Sequence, residues 1–283
     1  MYRSVKLKYK IVADSSCDLN PELEEVLDVE LIPFKIDVED KSFVDDKNLD
    51  VNELIKAMHD SPYPIKTSCP SPGNFAEKYK EGDSIFVVTI SEQLSGTYNS
   101  ALLAKKMTLE EFPNKFVHVF NSCSASVGET LISMKIQEHI EEKLSNSQIV
   151  EKVETFIDGM KTYFISEDLS NLIKNGRISK TQGLMANVLN IKPIMRGTQD
   201  GNIEAIEKVR GSKRAFKRLV DIIGETGVNF SDRILAISHA NALQKALDLK
   251  EDLKKYNFKD IIIVDTKGLS TAYVNDGGVI LAF

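Results

Sequence analysis

Along the first half of the chain, short apolar runs recur, each followed by a polar turn and then a helix-like stretch. "YKIVAD" leads into "SSCDLNPELEEVLD", "SIFVVTI" into "SEQLSGTYNSALLAKKM", and "KFVHVF" into "NSCSASVGETLISMKIQEHIEEKL". Strands of this kind alternating with helices form βαβ units, which build a parallel sheet covered on both faces. "SNSQIVEKVETFIDGMK" is polar at its start and reads as an exposed helix, with a domain boundary near Gly159. The second half is less regular. "TYFIS", "IKPIMRG", "GNIEAIEKV", "RILAISH" and "DIIIVDT" read as strands, "SKRAFKRLVDIIGE" and "ALQKALDLKEDLKKY" as helices. Asp200-Gly201 supplies the turn of a hairpin inside "IMRGTQDGNIEAI". The pattern predicts a two-domain α/β protein. Residues 1–159 form a mostly parallel sheet with helices on both faces, and residues 160–283 a mixed α/β domain.

Composition narrows the function. A chain of 283 residues fits two domains of ordinary size. A net charge of −6 argues against nucleic acid, whose phosphates need a basic face. "MYRSVKLKYKIVADSS" has basic residues but only a short apolar run, so it does not read as a signal, and no apolar run approaches a membrane span. Three cysteines, an odd number, fit a reduced cytoplasmic protein better than a disulfide scaffold.

Ligands of open α/β sheets settle beyond the carboxyl ends of the strands. Asp14-Ser15-Ser16-Cys17 follows the first strand, Thr67-Ser68-Cys69 follows "PIK", Ser91 and then Ser95-Gly96-Thr97 follow "VVTI", and Asn121-Ser122-Cys123-Ser124 follows "FVHVF". Four loops rich in small hydroxyls thus converge on one rim that carries no Lys or Arg. A phosphate site would ask for a Walker-type loop or an arginine there. A carboxylate, with one charge and two acceptor oxygens, suits two hydroxyls plus the N–H groups of Gly96 and Thr97 at a helix N-terminus. Against this stands the plain alternative that Ser95 is a helix cap turned onto its own backbone.

Serine also invites a hydrolase reading, and a serine hydrolase acting on an acyl ester is the alternative function. The chain has no Gly-x-Ser-x-Gly elbow. Of its four histidines, His59 and His139 lie on charged, solvated helices, His118 sits inside a strand, and His239, ending "RILAISH", is the one candidate base. Cys17, Cys69 and Cys123 each follow a serine just beyond a strand, so three thiolates facing one crevice make zinc a third reading, without paired ligand spacing.

"IVADSSCDL", "TSCPSPGNF", "SEQLSGTYNSA", "NSCSASVG", "LIKNGRIS", "KPIMRGTQDGNI" and "EKVRGSKRAF" follow one another in an order and spacing that resembles the DegV family of bacterial fatty-acid-binding proteins. The resemblance runs from about Lys10 to Phe283. It implies two α/β domains enclosing a long-chain fatty acid such as palmitate, with no metal and no cofactor besides that ligand. It further implies that Thr67, Ser68 and Ser95 hold the carboxylate, and that Arg177 lies near the same end. A fatty acid kinase catalytic subunit is the implied partner, to which the carrier presents its acyl group.

Three positions depart from the family's pattern. Asn121 stands where an aspartate is usual, Cys69 where glutamine is frequent, and "TAYVNDGGVILAF" puts Tyr273 in the place of a histidine followed by Thr-Gly-Pro-Gly. A phenol still donates a hydrogen bond but lacks the imidazole's change of charge near neutral pH. "EKVRGSKRAFKR", with Arg210, Lys213 and Arg214, is the candidate docking face for a partner.

Overall fold

A computed structural model describes residues 8–179 and 190–283. Met1–Leu7, read above for a leader, lies outside them. Chain order begins β1 (Tyr9–Asp14), α1 (Pro21–Leu27), β2 (Val29–Ile32), β3 (Lys35–Val38), β4 (Lys41–Val44), α2 (Val51–Asp60) and β5 (Lys66–Ser68). It continues with α3 (Pro72–Tyr79), β6 (Ser84–Thr89), α4 (Thr97–Glu111), β7 (Phe116–Asn121), α5 (Val127–Glu141) and α6 (Asn146–Gly159). The second half runs β8 (Thr162–Ile165), α7 (Ser170–Lys174), β9 (Ile191–Gly197), β10 (Ile203–Arg210), α8 (Ser212–Glu225) and β11 (Ile234–His239). It closes with α9 (Leu243–Leu253), β12 (Asp260–Asp265), α10 (Gly268–Val274) and β13 (Val279–Ala282).

The expected parallel sheet is present, in the order β2-β1-β6-β7 with every pair parallel. β6 is buried along its whole length, which is why its sequence shows no polar alternation. All strands of the six-stranded mixed sheet, β10-β9-β8-β13-β11-β12, come after Gly159. α5 lies between the two sheets. Its Ile132 and Ile136 pack on Phe86 and Phe120, while Val127 and Leu131 pack on Phe164, Met195 and Ile280. A helix that must bury two faces is apolar nearly all round, and the run from Val127 to Ser133 is entirely buried.

Several expectations need correction. α6 is not simply exposed: Ile149, Val153 and Ile157, four residues apart, put one stripe into the core, while Ser145 and Gln148 form a capping box at its start. α1 and α5 start later than the sequence suggested. The polar stretches before them are turns tied to buried carboxylates and hydroxyls, and Asn20 caps α1 through Leu23 N–H.

The largest departure is a three-stranded antiparallel sheet, β4-β3-β5, outside the parallel sheet. Thr67 and Ser68 therefore sit within a strand rather than on a loop at the parallel rim, with Thr67 opposite Ile36 and Ser68 opposite Lys35. This small sheet reaches across to the second half: Ile36, Val38, Leu54 and Ile65 pack on Ala272 and Tyr273 of α10.

Candidate functional site

The loop after β6 turns back on itself, with Leu94 N–H and Ser95 N–H both donating to Ser91 O. Gly96 is the N-cap of α4, and no side chain caps that helix. Ser95 Oγ lies 2.8 Å from Thr97 Oγ1 and accepts a longer bond from Thr97 N–H at 3.4 Å. The plain-cap alternative is thus met only in part, because the hydroxyl's short bond goes to another hydroxyl. Thr97 is fully buried and Ser95 half-buried.

β5 brings its own hydroxyl to the same place. Thr67 Oγ1 is 2.8 Å from Tyr273 Oη, across 206 residues of sequence. Ser68 follows it on an exposed position, and side chains alternate faces along a strand. Beyond it, Cys69 Sγ lies 3.8 Å from where a methyl on Gly96 would sit, which sets the two loops side by side.

Arg177 closes the group. Gly176, at φ +74°, makes the left-handed turn after α7 that a residue with a side chain would resist, and it swings Arg177 inward. The guanidinium lies 5.6 Å from the Tyr273 ring centre, its Nε donates to Leu94 O at 3.0 Å and its Nη1 to Asn175 O at 2.8 Å. So Arg177 both stabilises its turn and ties that turn to the Ser95 loop.

Beside this cluster a cavity of about 90 Å³ lies between the two halves; Arg177 and Tyr273 line it, whereas Thr67, Ser68, Ser95, Gly96 and Thr97 stand outside its lining. Leu94, Arg177 and Tyr273 line one end; Ile90, Phe164, Leu172, Leu269, Val274 and Ile280 supply apolar walls from both sheets and from α7 and α10.

Sequence reasoning missed what holds the cavity together. Four carboxyl groups, Asp14, Asp18, Asp45 and Glu129, are buried beneath the rim. Asp14 accepts from Ser16 N–H and Ile90 N–H; Asp18 from Lys267 N–H and Ser126 Oγ; Asp45 from Ser15 Oγ, Gly268 N–H and Leu269 N–H. Two of these acids, then, clasp the start of α10, the helix that carries Tyr273. Burial pushes the Asp14 and Asp18 carboxyls up to about 7. It raises Asp45 too, and Glu129, beside Asp14 and with no side-chain hydrogen bond among the described residues, is pushed well above its ordinary range.

The rival chemistries fare less well. His139 is buried rather than solvated, because it faces back to Glu142 at 2.9 Å. His59, His118 and His239 lie beside Asp60, Glu154 and Asp265, and none of the four histidines lines the cavity. The three cysteines part company. Cys17 packs against Thr130 and Ser133 of α5 with its thiol pushed up by burial, Cys69 is exposed, and Cys123 lines the cavity. Among the described residues, no group of three side chains is placed to hold a metal ion. Nor is any helix among them long and apolar enough to cross a membrane.

The family model described as "Uncharacterised protein, DegV family" matches residues 8–283. The chain belongs to the DegV family. A DegV domain-containing protein of Streptococcus pneumoniae strain R6 is 31% identical over 280 residues, covering 98% of this chain and 99% of its own. Among solved DegV structures, a family member from Ruminococcus gnavus, described with vaccenic acid, superposes with a TM-score of 0.93 at 41% identity, over 98% of this chain and 100% of that one. The fatty acid kinase B3 protein of Streptococcus pneumoniae, loaded with linoleic acid, gives a TM-score of 0.90 at 31% identity, over 98% and 99%. A Eubacterium eligens family member loaded with heptadecanoic acid gives 0.90 at 30%, over 97% and 98%.

Proposed function

We propose that this chain binds a long-chain fatty acid in the cavity between its halves and acts as a carrier with no chemistry of its own. The observation that carries the reading is an apolar cavity whose wall includes Tyr273, one of four hydroxyls set beside it in two pairs, Thr67–Tyr273 and Ser95–Thr97, each 2.8 Å apart. Within each pair one hydroxyl donates to the other, which leaves one proton per pair. Two free protons suit the two oxygens of a carboxylate. The N–H groups at Gly96 and Thr97 and the guanidinium of Arg177 complete the headgroup set, while Ser68, on the other face of its strand, is left out of it. Fatty acids in the R. gnavus, S. pneumoniae and E. eligens relatives support the same ligand class here.

Burial of the acyl chain supplies most of the affinity, about 0.8 kcal/mol per methylene, and the hydroxyls fix the headgroup. Thr67→Val and Ser95→Ala each remove the hydroxyl that orients and polarises the remaining donor of its pair, and are expected to weaken binding by about 1–3 kcal/mol. Both should leave the melting temperature of the ligand-free protein nearly unchanged. Isothermal titration with a long-chain fatty acid checks this; variants that bind as tightly as the parent would place the carboxylate elsewhere.

The likeness to the S. pneumoniae fatty acid kinase B3 protein supports presentation of the carboxylate to a kinase catalytic subunit. At Tyr273 the headgroup donor is a phenol, bonded to Thr67, where relatives of the usual pattern offer an imidazole. Binding needs only the donor, whereas phosphorylation of the carboxylate gains from a group that changes charge near neutral pH. With a fatty acid kinase catalytic subunit from the same organism, the parent is expected to yield acyl phosphate severalfold more slowly than Tyr273→His. Equal rates would show that Tyr273 is no impediment.

A further inference from the structure

The cavity has a second end, and its chemistry differs from the first. The carboxyl end of β8 lies at the headgroup side, where Ser166 Oγ donates to Val274 O beside Tyr273. Phe164 and Thr162, on one face of β8, both line the cavity, so its wall runs away from the headgroup toward Thr162. There Thr162 Oγ1 lies 2.7 Å from Ser124 Oγ, a side chain almost wholly buried. Cys123, Thr162 and Gly197 form the partition, and all three also line a neighbouring cavity of about 40 Å³. That second cavity is polar, with Asp158, Lys161, Thr198 and Gln199 in its walls. Gly197 keeps the partition thin: even a methyl on it would meet nothing closer than Thr162 Cβ at 3.6 Å.

A methyl-terminated chain gains about 0.8 kcal/mol for each methylene taken out of water, and that gain stops at the partition. An oxygen on the chain meets the opposite situation. Along Phe164, Leu172 and Ile280 it would be buried without a partner. At Ser124–Thr162 it meets two hydroxyls whose mutual bond leaves acceptor lone pairs and donor capacity over, since among the described residues the one other bond of Ser124 Oγ is a long one, 3.4 Å, to Ala125 O.

We propose that Ser124, Thr162 and the partition at Gly197 form a tail subsite, so that the cavity accepts acyl chains carrying a hydroxyl at the end remote from the carboxylate. The proposal rests on the fatty-acid reading above and adds the class of tail. Its test is equilibrium binding of saturated acids of fourteen to eighteen carbons and their ω-hydroxy counterparts to delipidated protein, compared at whichever length binds best. In the parent, the ω-hydroxy acid should bind within about tenfold of the plain acid. In Thr162→Val, which keeps the shape, and in Ser124→Ala, the affinity for the ω-hydroxy acid relative to that for the plain acid in the same protein should fall about a further tenfold, the cost of leaving a buried hydroxyl without its partner. A penalty above tenfold in the parent, or the same penalty in the parent and both variants, overturns the tail subsite and leaves fatty acid binding intact. Failure of the plain acids to bind overturns the fatty-acid reading, and the subsite with it.

Discussion

Asp45→Ala is expected to lower the free energy of unfolding by about 3–5 kcal/mol, the range for deleting one member of a buried charged network. Asp45 is 3% exposed, and its two oxygens take Gly268 N–H at 2.7 Å, Leu269 N–H at 2.8 Å and Ser15 Oγ at 2.8 Å. Removing the carboxylate strands two backbone donors and a hydroxyl, each costing about 1–3 kcal/mol when buried unpaired, less whatever water enters the void. No neighbouring side chain can close the gap cheaply. The helix start approaches so closely that a methyl on Gly268 would lie 2.6 Å from Asp45 Oδ1 and 2.4 Å from Leu49 Cδ2. Because the same helix carries Tyr273, fatty acid affinity should fall along with stability. Urea unfolding of parent and variant at one pH measures the loss; a change below about 1 kcal/mol would mean that the clasp on α10 is held by other contacts.

Parent and Asp18→Asn should show stabilities that diverge as pH rises. In the unfolded chain Asp18 ionises near its ordinary value of 3.8, whereas in the folded protein burial holds the proton until about pH 7. The unfolded state therefore binds fewer protons across that window. Stability from this group is complete below the unfolded value and is lost as pH climbs through the folded one. Between pH 5 and pH 8 the loss from Asp18 comes to about 2–3 kcal/mol. Asparagine matches the protonated carboxyl in shape: its oxygen accepts from Lys267 N–H and its amide donates to Ser126 Oγ, which can in turn donate to Ser238 at 2.7 Å. The variant should thus gain about 2–3 kcal/mol on the parent over this range, with Asp14, also raised to about 7, giving both proteins a shared background slope. Parallel pH profiles would show that Asp18 ionises in the folded protein much as it does in the unfolded chain.

The parallel sheet was legible because β6 is buried along its whole length and β1 and β7 carry several buried apolar residues each, so their apolar runs stand out from the polar turns that follow. The antiparallel sheet was not. β3, β4 and β5 are three or four residues long, and β4 and β5 are largely exposed, so no period stands out from the surrounding polar chain. α10 was hidden for the opposite reason: six of its seven residues are buried, so "GLSTAYV" has no polar stripe to reveal a helix. The loops after β1, β6 and β7, and Thr67-Ser68 after "PIK", could be read as a rim from strand order alone, whereas Arg177 and Tyr273 came into view through the family resemblance. Asp45 and Glu129 gave no signal, since 42 acidic residues look alike in sequence. What singles out Asp45 is the arrival of Gly268 and Leu269 from more than two hundred residues away.

The most direct measurement of the central claim is mass spectrometry of a denaturing organic extract of the purified, folded protein. The account predicts one long-chain fatty acid released per chain, or, from a preparation stripped beforehand, stoichiometric uptake of added fatty acid. A folded preparation that yields a lipid-free extract and also fails to take up added fatty acid would contradict it.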